Sequence, residues 1–317
     1  MELGGAVKRP VVLMIHEGVT ISDDLNAHLS CIEYIDTIDN EVDGLTVTFS
    51  KMFLPPQAGD KLLVSIGFGL DLTYIGEFYV TGWNEGFMDG TMKLKLTPIA
   101  YSKKLKEKRT GSYDKVTLEQ ILKEVAGRHD LKVKNDLKKV SYVHKAQTNE
   151  SDLVFMHRLA RENNATFSIK NGTIIFKPKS LSADKALLPT VLLSMGDLVD
   201  GDIDYQDKTE YLSAEAKFQK TKKNKIVTVK VGKGEPKLVL EGNFKNEADA
   251  KAKLVAALER ENAGRVRGWC SVTTQEVIAG AMLTLDLGYK VESDLQITEV
   301  RHRIDESGYV KDVTFTK

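Results

Sequence analysis

Two segments far apart in the chain repeat nearly the same alternation of apolar and polar residues between glycines. The first is GDKLLVSIGF, residues 59–68, and the second is GAMLTLDLGY, residues 280–289. Aligning the two leading glycines pairs Leu62 with Leu283, Val64 with Leu285, Ile66 with Leu287 and Gly67 with Gly288. The next strands, FYV and LQI, follow in the same order. This repeat predicts that a β-rich unit occurs twice in the chain.

The length and charge of the chain indicate which class of protein it belongs to. With 317 residues it should form two or three domains, and 42% hydrophobic and 28% charged residues are typical of a folded globular protein. Lys and Arg total 45, as do Asp and Glu, so no net charge attracts nucleic acid or an anionic membrane. No segment approaches the roughly 20 apolar residues of a membrane span, and none has the core of a signal peptide. We therefore expect synthesis in the cytoplasm.

Residues 45–96 are predicted to form an antiparallel sheet that curls into a barrel or sandwich. The segments LTVTF, KLLVSI, EFYVT and MKLKL each alternate apolar and polar residues, and proline or glycine lies between them. Asp89-Gly90 is typical of a tight type I′ hairpin turn, in which both central residues have positive φ.

The pattern then changes to two helices and a hairpin. Thr117 and Gln120 have the spacing of a capping box, and the following helix has one apolar face. That face consists of Leu118, Ile121, Leu122 and Val125. Ser151 or Asn149 can cap a second helix, and an Asn-Gly turn at residues 171–172 then joins the strands TFSIK and TIIFK.

Strands resume after residue 181 and continue to the end. AEAKFQ and IVTVKV flank a lysine-rich turn, Asn246 caps an alanine-rich helix, and MLTLDL, LQIT and DVTFT finish the chain. The helix is expected to pack beside a second barrel. The predicted fold class is mainly β with an α+β insert. A first β-barrel domain takes residues 1–104, a small α/β domain takes residues 105–180, and a second β-barrel domain with one helix takes residues 181–317.

No arrangement of residues predicts catalysis, a cofactor or a metal. The sequence lacks a phosphate-binding glycine loop, a paired-histidine zinc motif and a serine nucleophile elbow. Cys31 and Cys270 are far apart and are expected to be free apolar core residues. His157 is interpreted as a packing residue, because no partner for a general base can be named. Catalytic, cofactor-binding and metal-binding residues are predicted to be absent, and the partner-binding residues are unknown.

Several charged groups can be interpreted either as functional residues or as ordinary structural ones. Asp202, Asp204 and Asp207 resemble calcium ligands, but the loop lacks the glycine and terminal glutamate of a calcium loop, so a solvated turn is expected. Glu150 and Asp152 are interpreted as charges that favour a helix start. Basic clusters at residues 103–109 and 217–225 have few neighbouring aromatics, so they are expected to be solvated. Surfaces, and not an active site, should carry the function.

Several longer segments resemble the late control protein D family of contractile phage tails. They are PPQAGDKLLVSIGF with YIGEFYVTGW, LKEKRTGSYDKVTLEQILKEVAGRHDL, and AQTNESDLVFMHRLARENNATFSIKNGTIIFKPK. The most specific stretch is residues 147–176, with the pattern QxxESDLxFxxRLA. AKLVAALERENAGRVRGWCSVTT and IAGAMLTLDLGYKVESDLQITEVRHRID are similar to the last domain of that family. The resemblance covers about residues 42–317.

The resemblance implies a structural baseplate hub and no enzyme. Such proteins form a homotrimeric ring whose two tube-like β-barrels per chain give pseudo-sixfold symmetry, joining a sixfold tail tube to a threefold central spike. The implied partners are other copies of the chain, the tail tube protein and the central spike protein, with the baseplate wedge and tape measure proteins as further candidates. DNA would only pass through the lumen. The spike is expected to be a separate chain, and the virion or phage-tail-like particle is expected to be made in a bacterial host's cytoplasm.

Two other classes of function are alternatives. A tail-tip protein that binds or hydrolyses cell-wall glycan would use the α/β insert, but hydrolysis needs two carboxylates flanking one bond. Nucleic-acid binding through the lysine clusters would give an affinity that falls steeply with salt.

Overall fold

The computed structural model describes residues 10–16, 18–21, 27–38, 44–69, 71–98, 105, 107–137, 140–163, 165–170, 172–178, 188–220, 225–241, 244 and 246–317. The elements are numbered in chain order. The first strands are β1 (Pro10–His16), β2 (Val19–Thr20), β3 (Leu29–Thr37), β4 (Gly44–Phe49), β5 (Lys61–Phe68), β6 (Asp71–Gly86) and β7 (Thr91–Thr97).

The middle elements are β8 (Lys108–Thr117), α1 (Leu118–Gly127), β9 (Lys132–Asn135), β10 (Ser141–Ser151), α2 (Asp152–Glu162), β11 (Ala165–Lys170) and β12 (Thr173–Pro178). The last are β13 (Thr190–Ser194), β14 (Leu198–Tyr205), β15 (Ser213–Lys220), β16 (Lys225–Gly232), β17 (Lys237–Leu240), α3 (Glu247–Asn262), β18 (Val266–Val272), β19 (Met282–Asp286), β20 (Val291–Asp305) and β21 (Gly308–Thr316).

Within the described residues, the largest sheet has 13 strands and contains two sets of six strands in the same order. The first strand set runs β3-β4-β7-β6-β5-β1, and the second strand set runs β14-β18-β21-β20-β19-β13. Neighbouring strands in both sets are antiparallel, except that β13 and β19 are parallel where β1 and β5 are antiparallel. Each set lines an apolar cluster of its own, with Phe49 and Phe78 in the first and Phe315 in the second.

The two sets share their strand irregularities as well as their order. A bulge at Thr81 interrupts the β6–β7 ladder, and a bulge at Thr298 interrupts the β20–β21 ladder. In each, the threonine hydroxyl donates to a carbonyl of the opposite strand, that of Lys95 at 3.0 Å and that of Thr314 at 3.1 Å. The β3–β4 and β14–β18 ladders are interrupted one residue into each strand. Because bulges reset register, these two coincidences align β3 with β14, β4 with β18, β6 with β20 and β7 with β21 at the paired positions.

The glycines of the sequence repeat make the same contact in both sets. The amide of Gly59 donates to the Val80 carbonyl, and the amide of Gly280 donates to the Ile297 carbonyl, each at 2.8 Å. Both glycines have a positive φ, 99° and 91°, and residues other than glycine seldom adopt such backbone angles. The repeated β-rich unit predicted from the sequence is confirmed in strand order and register.

The insert, residues 108–178, has two small sheets and two helices. β8 pairs with β10, and β11-β12-β9 form a three-stranded sheet. The capping box of α1 is confirmed, because Thr117 Oγ1 accepts from the Gln120 amide at 3.2 Å and Gln120 Oε1 accepts from the Thr117 amide at 2.8 Å. Ser151 caps α2. The predicted apolar face of α1 is buried against the same cluster as α2, β11 and β12.

Residues 213–262 form a separate side unit between β14 and β18. β15, β16 and β17 make their own three-stranded sheet, and α3 packs on it through Ala250, Leu254 and Ala257. The prediction that this helix packs beside the second barrel holds for its C-terminal end, where Leu258 and Asn262 border β14 and β20, but its buried face packs on the small sheet. AEAKFQ and IVTVKV do pair as neighbouring strands, but Ala214 and Ala216 on β15 bury against α3 and not against the large sheet.

One predicted turn differs in detail from the structure, and another lies partly outside the described residues. The β6–β7 turn covers residues 87–90, and of Asp89 and Gly90 only the glycine has positive φ, 69°. The Asp89 carboxylate accepts from the Thr91 amide and hydroxyl at 3.1 and 2.8 Å, which stabilises this wider turn in place of a type I′ turn. At the β11–β12 turn, Gly172 has φ 66°, and Asn171 lies outside the described residues.

Candidate assembly interface

The two strand sets join edge to edge within the chain. β20 pairs with β19 through residues 291–296 and with β3 through residues 299–305. The antiparallel register with β3 runs from Glu299 opposite Thr37 to Asp305 opposite Cys31. Because one long strand serves both sets, the sheet continues without a break across the junction.

Side chains of both sets pack across this junction. Ile304, near the turn of the β20–β21 hairpin, belongs to the apolar cluster of the first set. The His302 ring lies 5.3 Å from the Tyr34 ring. Arg301 Nη1 donates to Glu33 Oε1 at 3.0 Å. Backbone pairing, apolar burial and an ion pair therefore act together at one interface.

Asp36 connects three parts of the chain at the same junction. It lies on β3 and is 7% exposed. Its carboxylate accepts from the Lys170 ammonium on β11 of the insert, and its Oδ2 accepts from the Ala279 amide before β19 at 2.9 Å. A buried carboxylate without such partners would be costly. The insert and the second strand set are thus both anchored at the β3 edge.

The junction also contains a histidine with a displaced pKa. Burial, and after it the nearby Lys311 ammonium, lowers the pKa of His302 from its ordinary 6.5 to about 4. The imidazole Nδ1 lies 2.7 Å from Tyr309 Oη, so the neutral ring has a hydrogen-bond partner. At neutral pH the junction therefore encloses an uncharged histidine.

Acid is expected to weaken the junction through His302. Its folded pKa is below its unfolded pKa, so its contribution to stability is complete above pH 6.5 and is lost as the pH falls toward 4. The full loss is about 3 kcal/mol. Urea midpoints from tryptophan fluorescence at pH 7.5 and pH 4.5 should show a smaller pH effect in His302→Phe than in the parent. His144→Gln, at an exposed histidine, is the matched control; equal pH effects in all three proteins would contradict the assignment.

A second buried polar cluster lies in the insert around Asp152. The Asp152 side chain is fully buried. Its Oδ1 accepts from Arg128 Nη1 at 3.1 Å and Gln147 Nε2 at 2.9 Å, and its Oδ2 lies 2.8 Å from His129 Nε2. Asp152 is the first residue of α2, whose free amides favour a negative charge. The cluster joins α2 to β10 and to the end of α1.

The sequence-predicted acid residues do not form an open catalytic pair. The Glu150 carboxylate binds the Arg158 guanidinium, and Asp152 is enclosed by its cluster. The interpretation of Asp152 as a helix-start charge is correct but incomplete, because its partners Arg128 and His129 lie 24 and 23 residues earlier. No local motif marks that contact.

His157 and Cys270 lie where the sequence predicts, whereas Cys31 is only partly buried and is not a core residue. The His157 ring is edge-on to Phe167 at 4.9 Å, and burial lowers its pKa, so it is a packing residue. Cys31 and Cys270 are free. Burial raises the pKa of the Cys270 thiol to about 12, which keeps it protonated and unreactive.

The predicted solvated turn at Asp202 and Asp204 is wrong. Both lie on β14, which pairs with β18, and both are exposed; only Asp207 follows the strand. The alternation of LVDGDIDY is too weakly apolar to indicate a strand. Among the described residues, no three His, Cys, Asp or Glu side chains are placed to hold a metal ion.

The basic clusters are only partly within the described chain. From the first, Arg109 Nε lies 3.8 Å from Asp152, so this residue joins the buried cluster. From the second, Lys217 pairs with Glu215 at 3.5 Å. The remaining lysines include residues outside the described ranges. As far as the described chain extends, it contains no helix of the length and apolarity that a membrane span requires.

Solved structures similar to this fold include tail proteins and a secretion-system protein. The 43 kDa tail protein of prophage MuSo2 from Shewanella oneidensis is similar over 96% of this chain and 98% of its own, with a TM-score of 0.70 and 12% identity. The c3393 protein of E. coli, a type VI secretion component structurally similar to T4 tail proteins gp27 and gp5, is similar over 95% of this chain and 76% of its own (TM-score 0.59, 13% identity). The mainly β fold with a small helical part is thus a tail-protein fold.

The sequence identifies the family within that class. Residues 72–308 match the family model of the phage tail baseplate hub (GPD). The probable baseplate hub protein of Escherichia phage 186 is 26% identical over 236 residues, which are 72% of this chain and 60% of that relative. The alignment therefore spans less than two thirds of the relative. The chain belongs to the phage tail baseplate hub (GPD) family.

Proposed function

We propose that this protein is the hub of a contractile tail baseplate and that it assembles as a homotrimeric ring. The two tube-like domains lie within residues 1–104 and 181–317, the second of them with the side unit of β15–β17 and α3 attached, and residues 105–180 form the domain between them. Three chains then place six strand sets around one axis, which suits a sixfold tube on one side and a threefold spike on the other. The observation that carries this proposal is the repetition of one six-stranded arrangement inside a single hub-family chain.

The proposed partners follow from membership of the hub family. The tail tube protein would contact the sixfold face of the ring and the central spike protein the threefold face, with wedge and tape measure proteins as further candidates. The ring would be made in the cytoplasm of the bacterial host and act within the particle's baseplate. DNA would meet it only in transit through the lumen.

The proposed role is structural and not enzymatic. The two carboxylates that a glycan-hydrolysing insert would need, Glu150 and Asp152, are held by Arg158 and by the Arg128–His129 pair. A glycosidase requires carboxyl groups that flank a bound sugar. Their engagement supports the hub over the alternative of a cell-wall hydrolase.

Native mass spectrometry of the purified protein tests the oligomer directly. We expect a species of three times the chain mass, with dissociation on dilution because such assemblies depend on concentration. A species of two, four or six chains would contradict the proposed ring. In parallel, the protein should release no soluble fragments from purified peptidoglycan; release that survives in Glu150→Gln and Asp152→Asn would mean a hydrolase with another active site.

A further inference from the structure

The junction between the two strand sets has a counterpart that no strand of the described residues fills. Residues 299–305 of β20 pair with β3 on one side and β21 on the other. By the matched bulges, the equivalent of Thr298 is Thr81, so residues 82–86 of β6 correspond to residues 299–303. These residues pair with β7 on one side. In the described part of the chain, no strand pairs with them on the other side.

The equivalent of β3 is also open. β14 occupies the position of β3 in the second set. It is the last strand at one end of the described sheet, where it is hydrogen-bonded only to β18. Six of its eight residues are exposed, whereas none of the nine residues of β3 is exposed. A bare strand edge is a template for pairing with another chain.

The side chains on β6 show the same contrast. Four of residues 81–86 are exposed, against one of residues 298–303. Trp83 is 40% exposed, while its equivalent Val300 is completely buried. Trp83 lies opposite the buried Leu94, so a large aromatic ring on the core side of the sheet is only partly covered. Trp83 is therefore placed for a partner strand.

We infer that β14 of one chain adds to the free edge of β6, residues 82–86, of a second copy of this chain. The pairing reproduces between chains the β3–β20 junction that each chain already contains. It rests on the proposed ring and specifies the strands that close it. The contact is head-to-tail, so each copy offers one β14 edge and one β6 edge, and successive copies close into a ring.

The internal junction fixes the register of the contact. Glu299 lies opposite Thr37 and Arg301 opposite Ile35. Carried over through the matched ladders, Gly82 lies opposite Gln206 of the next copy. The remaining carried-over pairs are Trp83 with Tyr205, Asn84 with Asp204, Glu85 with Ile203 and Gly86 with Asp202. Trp83 and Tyr205 become a cross-strand aromatic pair, a favourable contact in antiparallel sheets.

The polar pattern supports this register. In the internal junction, Arg301 donates to Glu33, which lies diagonally across from it. Asn84 and Asp202 occupy the corresponding places, so an amide donor again faces a carboxylate. Both side chains are exposed in the single chain and are free of the apolar cores.

One residue pair is suited to a disulfide test. In the internal junction the Ile38 amide donates to the Thr298 carbonyl, which makes the Ile35–Arg301 pair a non-hydrogen-bonded one by alternation. Its counterpart is Asn84 with Asp204. Side chains in non-hydrogen-bonded pairs are the closer ones, with Cα atoms about 4.5 Å apart, within disulfide range.

The experiment uses the full chain with Cys31→Ser and Cys270→Ala as background. Asn84→Cys with Asp204→Cys is oxidised and run on a non-reducing gel. The matched control is Asn84→Cys with Asp200→Cys, which moves one thiol four residues along the same face of β14, about 13 Å away. We expect covalent dimers and trimers, and nothing larger, from the first variant only. Circular dichroism of all variants checks that each is folded.

The outcomes separate the strand pairing from the ring. A trimer by native mass spectrometry without cross-linking of residues 84 and 204 would overturn the pairing and keep the ring. Equal cross-linking in the Asp200→Cys control would overturn the register. A folded protein that stays monomeric at high concentration and forms no cross-link would contradict both.

Discussion

Replacing Asp152 with alanine is expected to destabilise the insert by about 3–5 kcal/mol. The change leaves the Arg128 guanidinium and the His129 ring, which is 2% exposed, without their shared acceptor. A buried donor that loses its partner retains the full cost of desolvation. Hydrogen exchange measured by mass spectrometry should therefore accelerate in α1 and α2.

The Asp152→Ala effect should be confined to the insert. Both tryptophans, Trp83 and Trp269, lie in the large sheet, so tryptophan emission reports a different apolar cluster. Asp114→Ala is the matched control, because Asp114 also binds a histidine, His144, but at an exposed site. Exchange in α1 and α2 that is no faster in Asp152→Ala than in Asp114→Ala would refute a stabilising role for the buried cluster.

Replacing Gly268 with alanine is expected to destabilise the second strand set by about 2–4 kcal/mol. A Cβ at this position of β18 would clash with the Asp202 carbonyl oxygen on β14 and lie 2.6 and 2.7 Å from two ring carbons of Phe315. The equivalent residue in the first set is Leu45, which lies opposite Leu96. The first set thus fills this space with two leucines, and the second set fills it with a glycine and a phenylalanine.

A double variant tests whether the clash with Phe315 causes the loss of stability. Phe315→Leu in the Gly268→Ala background removes the ring clash but not the carbonyl clash, so it should restore part of the stability. Gly111→Ala is the control, because a Cβ there meets no atom within 4 Å. Denaturant midpoints followed by the emission of Trp269, next to Gly268, measure the effect. A Gly268→Ala midpoint equal to that of Gly111→Ala would contradict the packing argument.

The sequence predicts the local elements of this fold well, since their signals are local. Alternation identifies β4, β5, β6 and β7, and the Thr117 capping box and the Ser151 cap identify α1 and α2. The Gly59 and Gly280 repeat even predicts that two strand sets share one plan, because positive φ at a strand entrance leaves a mark in the sequence.

The interface could not be predicted in the same way. β3 and β14 hold the same place in their sets, yet one is covered and the other exposed, and this difference depends on which strand lies beside each. The choice of neighbour is a long-range property of the sheet. Likewise, the side unit and the Asp152 cluster are made by contacts between distant residues, which residue spacing along one helix or strand does not encode.

An electron cryo-microscopy map of the purified assembly would show how the chains are arranged around the axis. We expect a ring of three chains with six similar lobes around an open centre, in which β14 of each chain continues the sheet of its neighbour at β6. A ring with one lobe per chain, or a map in which the two strand sets of a chain occupy unrelated positions about the axis, would contradict it.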